Sequence, residues 1–146
     1  MEVDLPRVAR TFLRFARGEL PGPPSDAPVG VYLGGRLVRT IAGDDQQDRS
    51  QWEGLCPDPG GYAGRSCPFS VLDPLRAVAD GLRIDAGPAS MVCAHPTPLL
   101  PSDVGGTQVV SLVPDPTASC VDWVAVELFV NDVSQVVAVN LIWAEP

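Results

Sequence analysis

The stretch CVDWVAVELFVNDVSQVVAVNLIWA, residues 120–144, decides the fold because it has the pattern of one long β-hairpin. Residues 131–134 contain the Asn and Asp that favour a chain reversal, and apolar side chains alternate along both arms. A reversal between Asp132 and Val133 pairs Leu128 with Val137, and the following pairs are Val126 with Val139 and Val124 with Leu141. All of these side chains fall on one face of the hairpin, as the period of two requires.

The second face of the hairpin is also mostly apolar, with two polar side chains near its middle. In the same register, Trp123, Ala125, Glu127 and Phe129 lie opposite Ile142, Asn140, Ala138 and Val136. A solvated face would be polar, so a helix, a partner chain or a ligand must cover this one. If the cover leaves a concave pocket, its candidate lining residues are Trp123, Glu127, Phe129, Asn140 and Ile142.

Composition restricts the class of protein. The 146 residues are 45% hydrophobic, which indicates one folded domain over residues 1–146 with a core of its own. Residues 84–146 contain seven acidic residues and no basic one, so this half would repel phosphate backbones and nucleic-acid binding is not expected. No apolar stretch approaches the roughly 18 residues of a membrane span.

The cysteines predict an oxidising compartment. Cys56 and Cys67 bracket a turn-rich loop, and a disulfide there would contribute about 3 kcal/mol by restricting the unfolded chain. Four cysteines allow three pairings, and in the pairing that closes this loop Cys93 and Cys120 would form the second disulfide. The N-terminus lacks the pattern of a signal peptide, which leaves a cytoplasmic protein or one whose leader is absent from this chain. Because of the cysteines, we expect a secreted or cell-surface protein, with a cytoplasmic protein as the alternative.

Reduced structural thiols and metal binding are the alternatives to disulfides. Cys93 and His95 are two potential ligands, but no cysteine pair has the close spacing that structural zinc prefers. The acidic cluster Asp44, Asp45 and Asp48 lacks the Gly and terminal Glu of a calcium loop, and it is better explained as the acidic first turn of a helix. The sequence therefore predicts no metal and no cofactor.

The rest of the chain adds helices and shorter strands. We expect an amphipathic helix over 4–17 that is capped by Asp4 and ended by Gly18, with an arginine stripe opposite the buried residues Leu5, Val8, Phe12 and Phe15. A hairpin over 29–41 turns at Gly34 and Gly35. A helix follows over 44–52, with Trp52 as its anchor, and another over 70–80, where Ser70 and Asp73 have capping-box spacing. The arginine stripe is a solvated face or a site for an acidic partner. Residues 84–87 turn the chain, and strands follow over 90–94 and 107–113. In the 29–41 hairpin, Val31 should face Val38 and Tyr32 should face Leu37.

This order predicts a single α+β domain with a mainly antiparallel sheet and the N-terminal helix packed on it. The order of elements resembles that of NTF2-like and cystatin-superfamily domains, in which a curved sheet wraps a long helix and can enclose a pocket. The resemblance implies a pocket enzyme in which Glu127, its pKa raised by desolvation, acts as acid or base. The alternative is that Glu127 lies exposed at a sheet edge or pairs with an arginine of the first helix.

A local resemblance concerns residues 55–72. Leu55-Cys56-Pro57-Asp58-Pro59-Gly60-Gly61 with Cys67, followed by a helix and two more cysteines, resembles the subtilisin-inhibitor-like proteins of actinobacteria. The resemblance implies a secreted protease inhibitor with residues 93–99 as its protease-binding loop. The chain departs from that pattern in its N-terminal helix and in the more than twenty residues that follow Cys120.

The function that we expect is non-enzymatic binding of a protein or a small apolar ligand outside the cytoplasm. No phosphate-binding glycine loop, nucleophile elbow or H-E-x-x-H pair is present. A pocket enzyme that uses Glu127 and a protease inhibitor that uses residues 93–99 are the alternatives.

The disulfide hypothesis predicts the intact mass of alkylated protein. Protein produced in an oxidising compartment and alkylated without reductant should gain no alkyl group, because all four thiols are oxidised. Mass spectrometry before and after reduction gives the count, and the reduced sample is the control. Four added groups without reductant would contradict the hypothesis and favour a cytoplasmic protein.

Overall fold

The computed structural model describes residues 3–23, 25–55, 70–76, 82–89, 104–115 and 123–143. It confirms a single α+β domain with one mixed sheet and an N-terminal helix. The elements are α1 Leu5–Ala16, β1 Val29–Leu33, β2 Arg36–Ile41, two 3-10 turns at Gly43–Asp45 and Arg49–Trp52, α2 Asp73–Arg76, β3 Arg83–Ala86, β4 Gln108–Val113, β5 Val124–Val130 and β6 Val136–Trp143.

The predicted C-terminal hairpin forms the middle of a six-stranded sheet with the strand order β2-β1-β6-β5-β4-β3. Every neighbouring pair is antiparallel except β1 and β6, which run parallel. Because β5 and β6 each have a strand on both sides, their backbone groups are paired within the sheet. The prediction that Glu127 lies at a sheet edge is therefore wrong.

The register of this hairpin differs by two residues from the predicted one. Glu127 pairs with Asn140 and not with Ala138. The loop over 131–135 is one residue longer than predicted, and Val137 is an extra residue of β6 without a partner on β5. Each insertion moves the register by one residue, so together they leave most side chains on the predicted face. Val136 and Val137 are the exceptions. Val136 precedes the extra residue, pairs with Val130 and lies in the main core, whereas Val137, which was expected opposite Leu128, has no partner.

The loop itself is held by Asn131. Its side-chain Oδ1 accepts hydrogen bonds from the N–H groups of Val133 (3.1 Å) and Gln135 (2.9 Å). Its backbone N–H donates to the carbonyl of Gln135 at 2.9 Å. Ser134 has φ 66, a left-handed conformation that few non-glycine residues adopt. The Asn at this position therefore turns the chain as predicted, although the turn contains one residue more.

The first hairpin turns at Gly34 and Gly35, as predicted, with φ of 59 and 83. These angles fit a type I′ turn, which needs positive φ at both central residues. Tyr32 faces Leu37 as predicted, but Val31 faces Arg39 because Val38 is an extra residue of β2. The prediction that Val31 faces Val38 is therefore wrong by one residue.

α1 covers one face of the sheet, and its ends have the predicted signals. The side chain of Asp4 accepts from the N–H of Arg7 at 3.1 Å, and Gly18 follows the helix with φ 85. At the C-terminal end, the guanidinium of Arg49 donates to the carbonyls of Phe15 (2.9 Å) and Ala16 (2.8 Å). The predicted buried residues Val8, Phe12 and Phe15 lie in the main core.

Trp52 is the second anchor of this core. Its ring makes edge contacts with Phe12 at 6.0 Å and Phe15 at 5.2 Å, and its indole N–H donates to the carbonyl of Gln46 at 3.0 Å. Three aromatic side chains thus join α1 to the segment after β2. The prediction of Trp52 as an anchor is confirmed.

Two predicted elements differ in the structure. Residues 44–52 form two separate 3-10 turns and not one helix, because Asp48 is extended and its carboxylate accepts from Ser50 N–H at 3.0 Å, which starts a new turn. Residues 84–87 were predicted as a turn, but Arg83–Ala86 is the edge strand β3, paired with β4. A partner strand distant in sequence stabilises a segment that has little strand pattern of its own.

The third predicted helix is described only in its first turn. Ser70 Oγ accepts from Leu72 N–H at 3.1 Å, and Asp73 accepts from Ser70 N–H at 3.2 Å, so the predicted capping box is present. Residues 77–81 and the predicted strand 90–94 lie outside the described residues. None of the helices in the described ranges is long and apolar enough to cross a membrane.

Candidate functional site

The five predicted pocket residues lie together on the face of the sheet opposite α1, which we call the second face. Trp123, Glu127, Phe129, Asn140 and Ile142 are all buried, each at most 2% exposed. Glu127 and Asn140, which the sequence placed near one another, are direct partners across β5 and β6. The second face is therefore covered at these positions, as its apolar composition required.

A row of polar side chains crosses the second face. Ser111 on β4, Glu127 on β5, Asn140 on β6 and Tyr32 on β1 are successive partners in the sheet register, and all four are buried. We call them the polar row. Ser111 and Tyr32 were not predicted to belong to this row. The signal was present for Ser111, because it lies between Val110 and Leu112, which face the main core.

The polar row separates two small apolar clusters. On one side are Ala89, Val113, Trp123, Ala125 and Ile142. On the other side are Phe129 and Ala138, which pack with Tyr32 of the row itself and with the partly buried Val104 and Val109. Burying polar groups between apolar clusters costs free energy unless the groups are hydrogen-bonded. The hydrogen-bond partners of the polar row therefore show whether these groups serve the fold or are available to a ligand.

Both carboxylate oxygens of Glu127 accept hydrogen bonds from the chain. Oε1 accepts from Asn140 Nδ2 at 2.9 Å, and Oε2 accepts from the backbone N–H of Ala89 at 3.1 Å. Burial raises the pKa of Glu127, while the hydrogen bonds from Asn140 and Ala89 act in the opposite direction. Because its partner is Asn140, the prediction of an ion pair with an arginine of α1 is wrong.

The same row fixes two loops against the sheet. Ser111 Oγ donates to the carbonyl of Gly87 at 2.6 Å, two residues before the Ala89 that Glu127 holds. Asn140 Oδ1 accepts from the N–H of Gly35, in the turn of the first hairpin, at 3.0 Å. The row therefore anchors the segment 87–89 and the 34–35 turn to the central strands.

This geometry limits the chemistry that Glu127 can perform. A general base needs an oxygen that a substrate can approach within hydrogen-bond distance of the proton to be removed. The direction of the pKa of Glu127 suits a base, but its side chain has no exposed surface and each oxygen already accepts a hydrogen bond, from Asn140 and from Ala89. The contacts favour anchoring over catalysis, and the acid/base role stays a prediction.

Metal binding receives no support from the described ranges. Among these residues, no group of three or more His, Cys, Asp and Glu side chains is placed to hold a metal ion. That statement includes the acidic residues Asp44, Asp45 and Asp48. The four cysteines, Cys56, Cys67, Cys93 and Cys120, lie outside the described residues together with His95, so the disulfide pairing stays a prediction.

A second candidate site is the outer edge of β2. In the described part of the chain, no strand lies beyond β2 in the sheet. Leu37 is 51% exposed and Val38 is 39% exposed, and the only other large exposed hydrophobic side chain of the described residues is Val133. Two neighbouring exposed apolar residues on an edge strand make this edge a candidate site for another chain, although its bulge at Val38 and its two arginines restrict which strands can pair with it.

The turn geometry determines which backbone groups this edge presents. A type I′ turn is closed by a hydrogen bond between the Leu33 carbonyl and the Arg36 N–H. Antiparallel pairs then alternate, so the next pair, Tyr32 and Leu37, does not exchange hydrogen bonds. The N–H and C=O of Leu37 therefore point away from β1, toward the open edge.

Comparison of the chain with protein-family models, with curated proteins and with solved structures finds no match.

The buried carboxylate predicts a pH-dependent difference between wild type and Glu127→Gln. Since the pKa of Glu127 is raised above 4.5, the folded protein binds this proton more tightly than the unfolded chain does. Its contribution to the free energy of unfolding is complete below pH 4.5 and falls as pH rises through the raised pKa. The unfolding free energy of wild type minus that of Glu127→Gln should therefore decrease with rising pH in urea titrations.

Asp132→Asn is the control for this experiment, because it also removes one carboxylate but from the exposed hairpin loop. A difference between wild type and Glu127→Gln that stays constant or grows with pH would contradict the assignment.

Proposed function

We propose that the protein is a non-enzymatic binding domain of the cell exterior that holds an extended segment of a protein partner along the outer edge of β2. The observation that carries the proposal is the exposure of Leu37 and Val38 on a strand with no neighbour beyond it in the described chain. A partner segment that adds as a further strand would satisfy the outward backbone groups and bury both side chains.

A protein partner is better supported than a small ligand. The five candidate pocket residues are buried, and the polar groups of Glu127 bind within the chain. A small-molecule site needs accessible concave surface with polar groups that can turn to the ligand. The edge of β2 combines accessible surface, exposed apolar side chains and the N–H and C=O groups of Leu37, which point outward.

The edge is also rigidly supported, which favours binding. The N–H of Gly34 donates to the Leu141 carbonyl at 2.8 Å, and the N–H of Gly35 donates to Asn140. Arg39 donates from Nη1 to the carbonyls of Gln51 (2.8 Å) and Glu53 (2.6 Å). Both ends of β2 are thus tied to the rest of the fold, and a pre-organised strand loses little conformational entropy when a partner binds.

The exterior location rests on the sequence alone. Four cysteines, an even number, in a small domain fit two disulfides, and such domains are common where thiols are oxidised. The alkylation experiment tests this part of the proposal separately from binding.

Strand addition predicts that Leu37→Pro impairs binding. Proline removes the outward N–H of Leu37, which β1 does not use, so the fold should persist while the docking bond is lost. Linear peptides selected from a random display library on wild-type protein should bind Leu37→Pro at least about tenfold more weakly, because one lost hydrogen bond and the lost apolar contact together exceed about 1.4 kcal/mol.

Val133→Ala is the matched control, because Val133 is 68% exposed but lies in the hairpin loop. Circular dichroism verifies that each variant is folded, and Leu37→Ala separates loss of the side chain from loss of the N–H. A library that gives no binder, or binders that do not distinguish Leu37→Pro from wild type, would overturn the proposal.

Protease inhibition is the second candidate function. Residues 93–99 lie outside the described residues. The nearest described residues before and after them both lie on the second face. Ala89 donates a hydrogen bond to Glu127, and Val104 packs with Phe129 and Tyr32. A binding loop supported at both ends is what an inhibitor needs. The intact domain should slow subtilisin or trypsin at a stoichiometric ratio, and simple digestion of the loop would end the idea.

A further inference from the structure

We propose that the segment that docks on β2 is acidic, with carboxylate side chains alternating with apolar ones. This inference rests on the proposed function, because it names the chemistry of the partner at the same edge. β2 has the sequence RLVRTI, with two arginines, no acidic residue and three large apolar side chains.

The sheet register places the two kinds of β2 side chain on different faces. Arg36 and Arg39 pair with Leu33 and Val31, whose side chains face the main core, so both arginines lie on the α1 side of the sheet. Leu37 pairs with Tyr32 and therefore lies on the second face. An added strand has a period of two, so it would present acids to the arginines on one face and apolar side chains to Leu37 on the other.

Both arginines are placed to receive carboxylates. Arg36 is exposed. Arg39 is half-buried and donates from Nη1 to the carbonyls of Gln51 and Glu53, which holds its guanidinium in one plane. A guanidinium has five N–H donors in a fixed arrangement, so the remaining donors of Arg39 are oriented before the partner arrives.

Charge argues against a second copy of the chain as the occupant. In an antiparallel pair of β2 strands that sets Leu37 against Val38, Arg36 of each copy lies opposite Arg39 of the other. Like charges directly opposite one another destabilise a pair of strands, and β2 supplies no acid to compensate. An acidic segment from a different protein meets the same edge with complementary charge.

Three synthetic peptides of about eight residues test the inference, since that length spans an edge strand. Val alternates with Glu in the first peptide, with Gln in the second and with Arg in the third. Fluorescence anisotropy titrations should give a dissociation constant for the Glu peptide that is roughly tenfold lower than that for the Gln peptide, as two exposed ion pairs allow. The preference should decrease between about 50 mM and about 500 mM salt.

Arg36→Gln should reduce the preference for the Glu peptide, whereas Arg10→Gln should not. Arg10 is exposed on α1, so the control removes the same charge from a different surface. Equal binding of the Glu and Gln peptides, or equal effects of the two substitutions, would overturn the acidic partner and leave strand addition intact. If none of the three peptides binds and library selection also fails, the proposed function itself is overturned.

Discussion

The structure depends on satisfying one buried carboxylate. Glu127 lies in the middle of the central strand pair with no exposed surface, so both of its oxygens must find donors inside the protein. Asn140 Nδ2 supplies one donor and the N–H of Ala89 the other, and the side-chain oxygen of Asn140 accepts from the N–H of Gly35 in the first hairpin. Through this chain of bonds, one side chain fixes the position of two loops relative to the sheet. A fully bonded polar network of this kind favours one arrangement of the strands over its alternatives.

Much of the fold could be predicted from the sequence because alternation is a robust signal. The hairpin of β5 and β6 was predicted with most side chains on the correct faces, although its register was wrong by two residues. The error came from the longer loop and from the extra residue Val137, features that depend on local backbone conformation and not on the hydrophobic pattern. An even shift preserves the faces, so Glu127 and Asn140 were still expected close together. α1 and its cap at Asp4 were also predicted correctly.

The parts that could not be predicted depend on contacts between segments distant in sequence. Ser111 and Tyr32 belong to the polar row only because β4 and β1 flank the central hairpin. β3 is a strand because β4 pairs with it, and its own residues gave no such pattern. The sequence also paired Leu37 with Tyr32, yet whether β2 lies at an edge or inside the sheet depends on strand order. Exposure of Leu37 is therefore a property of the whole topology.

The parallel pairing of β1 with β6 has a consequence for synthesis of the chain. Gly30 meets Ala138, and the bond from Gly35 to Asn140 spans 105 residues, so the first hairpin leaves the ribosome long before its neighbour in the sheet. Until β6 emerges, the inner side of β1 has no strand to pair with, and nascent chains with such open edges are prone to misassociate. Long-range pairing also slows folding, since the closing loop must be ordered first. The first hairpin of the nascent chain therefore has two open edges, one on β1 and one on β2. β6 covers the edge of β1 when the sheet is completed.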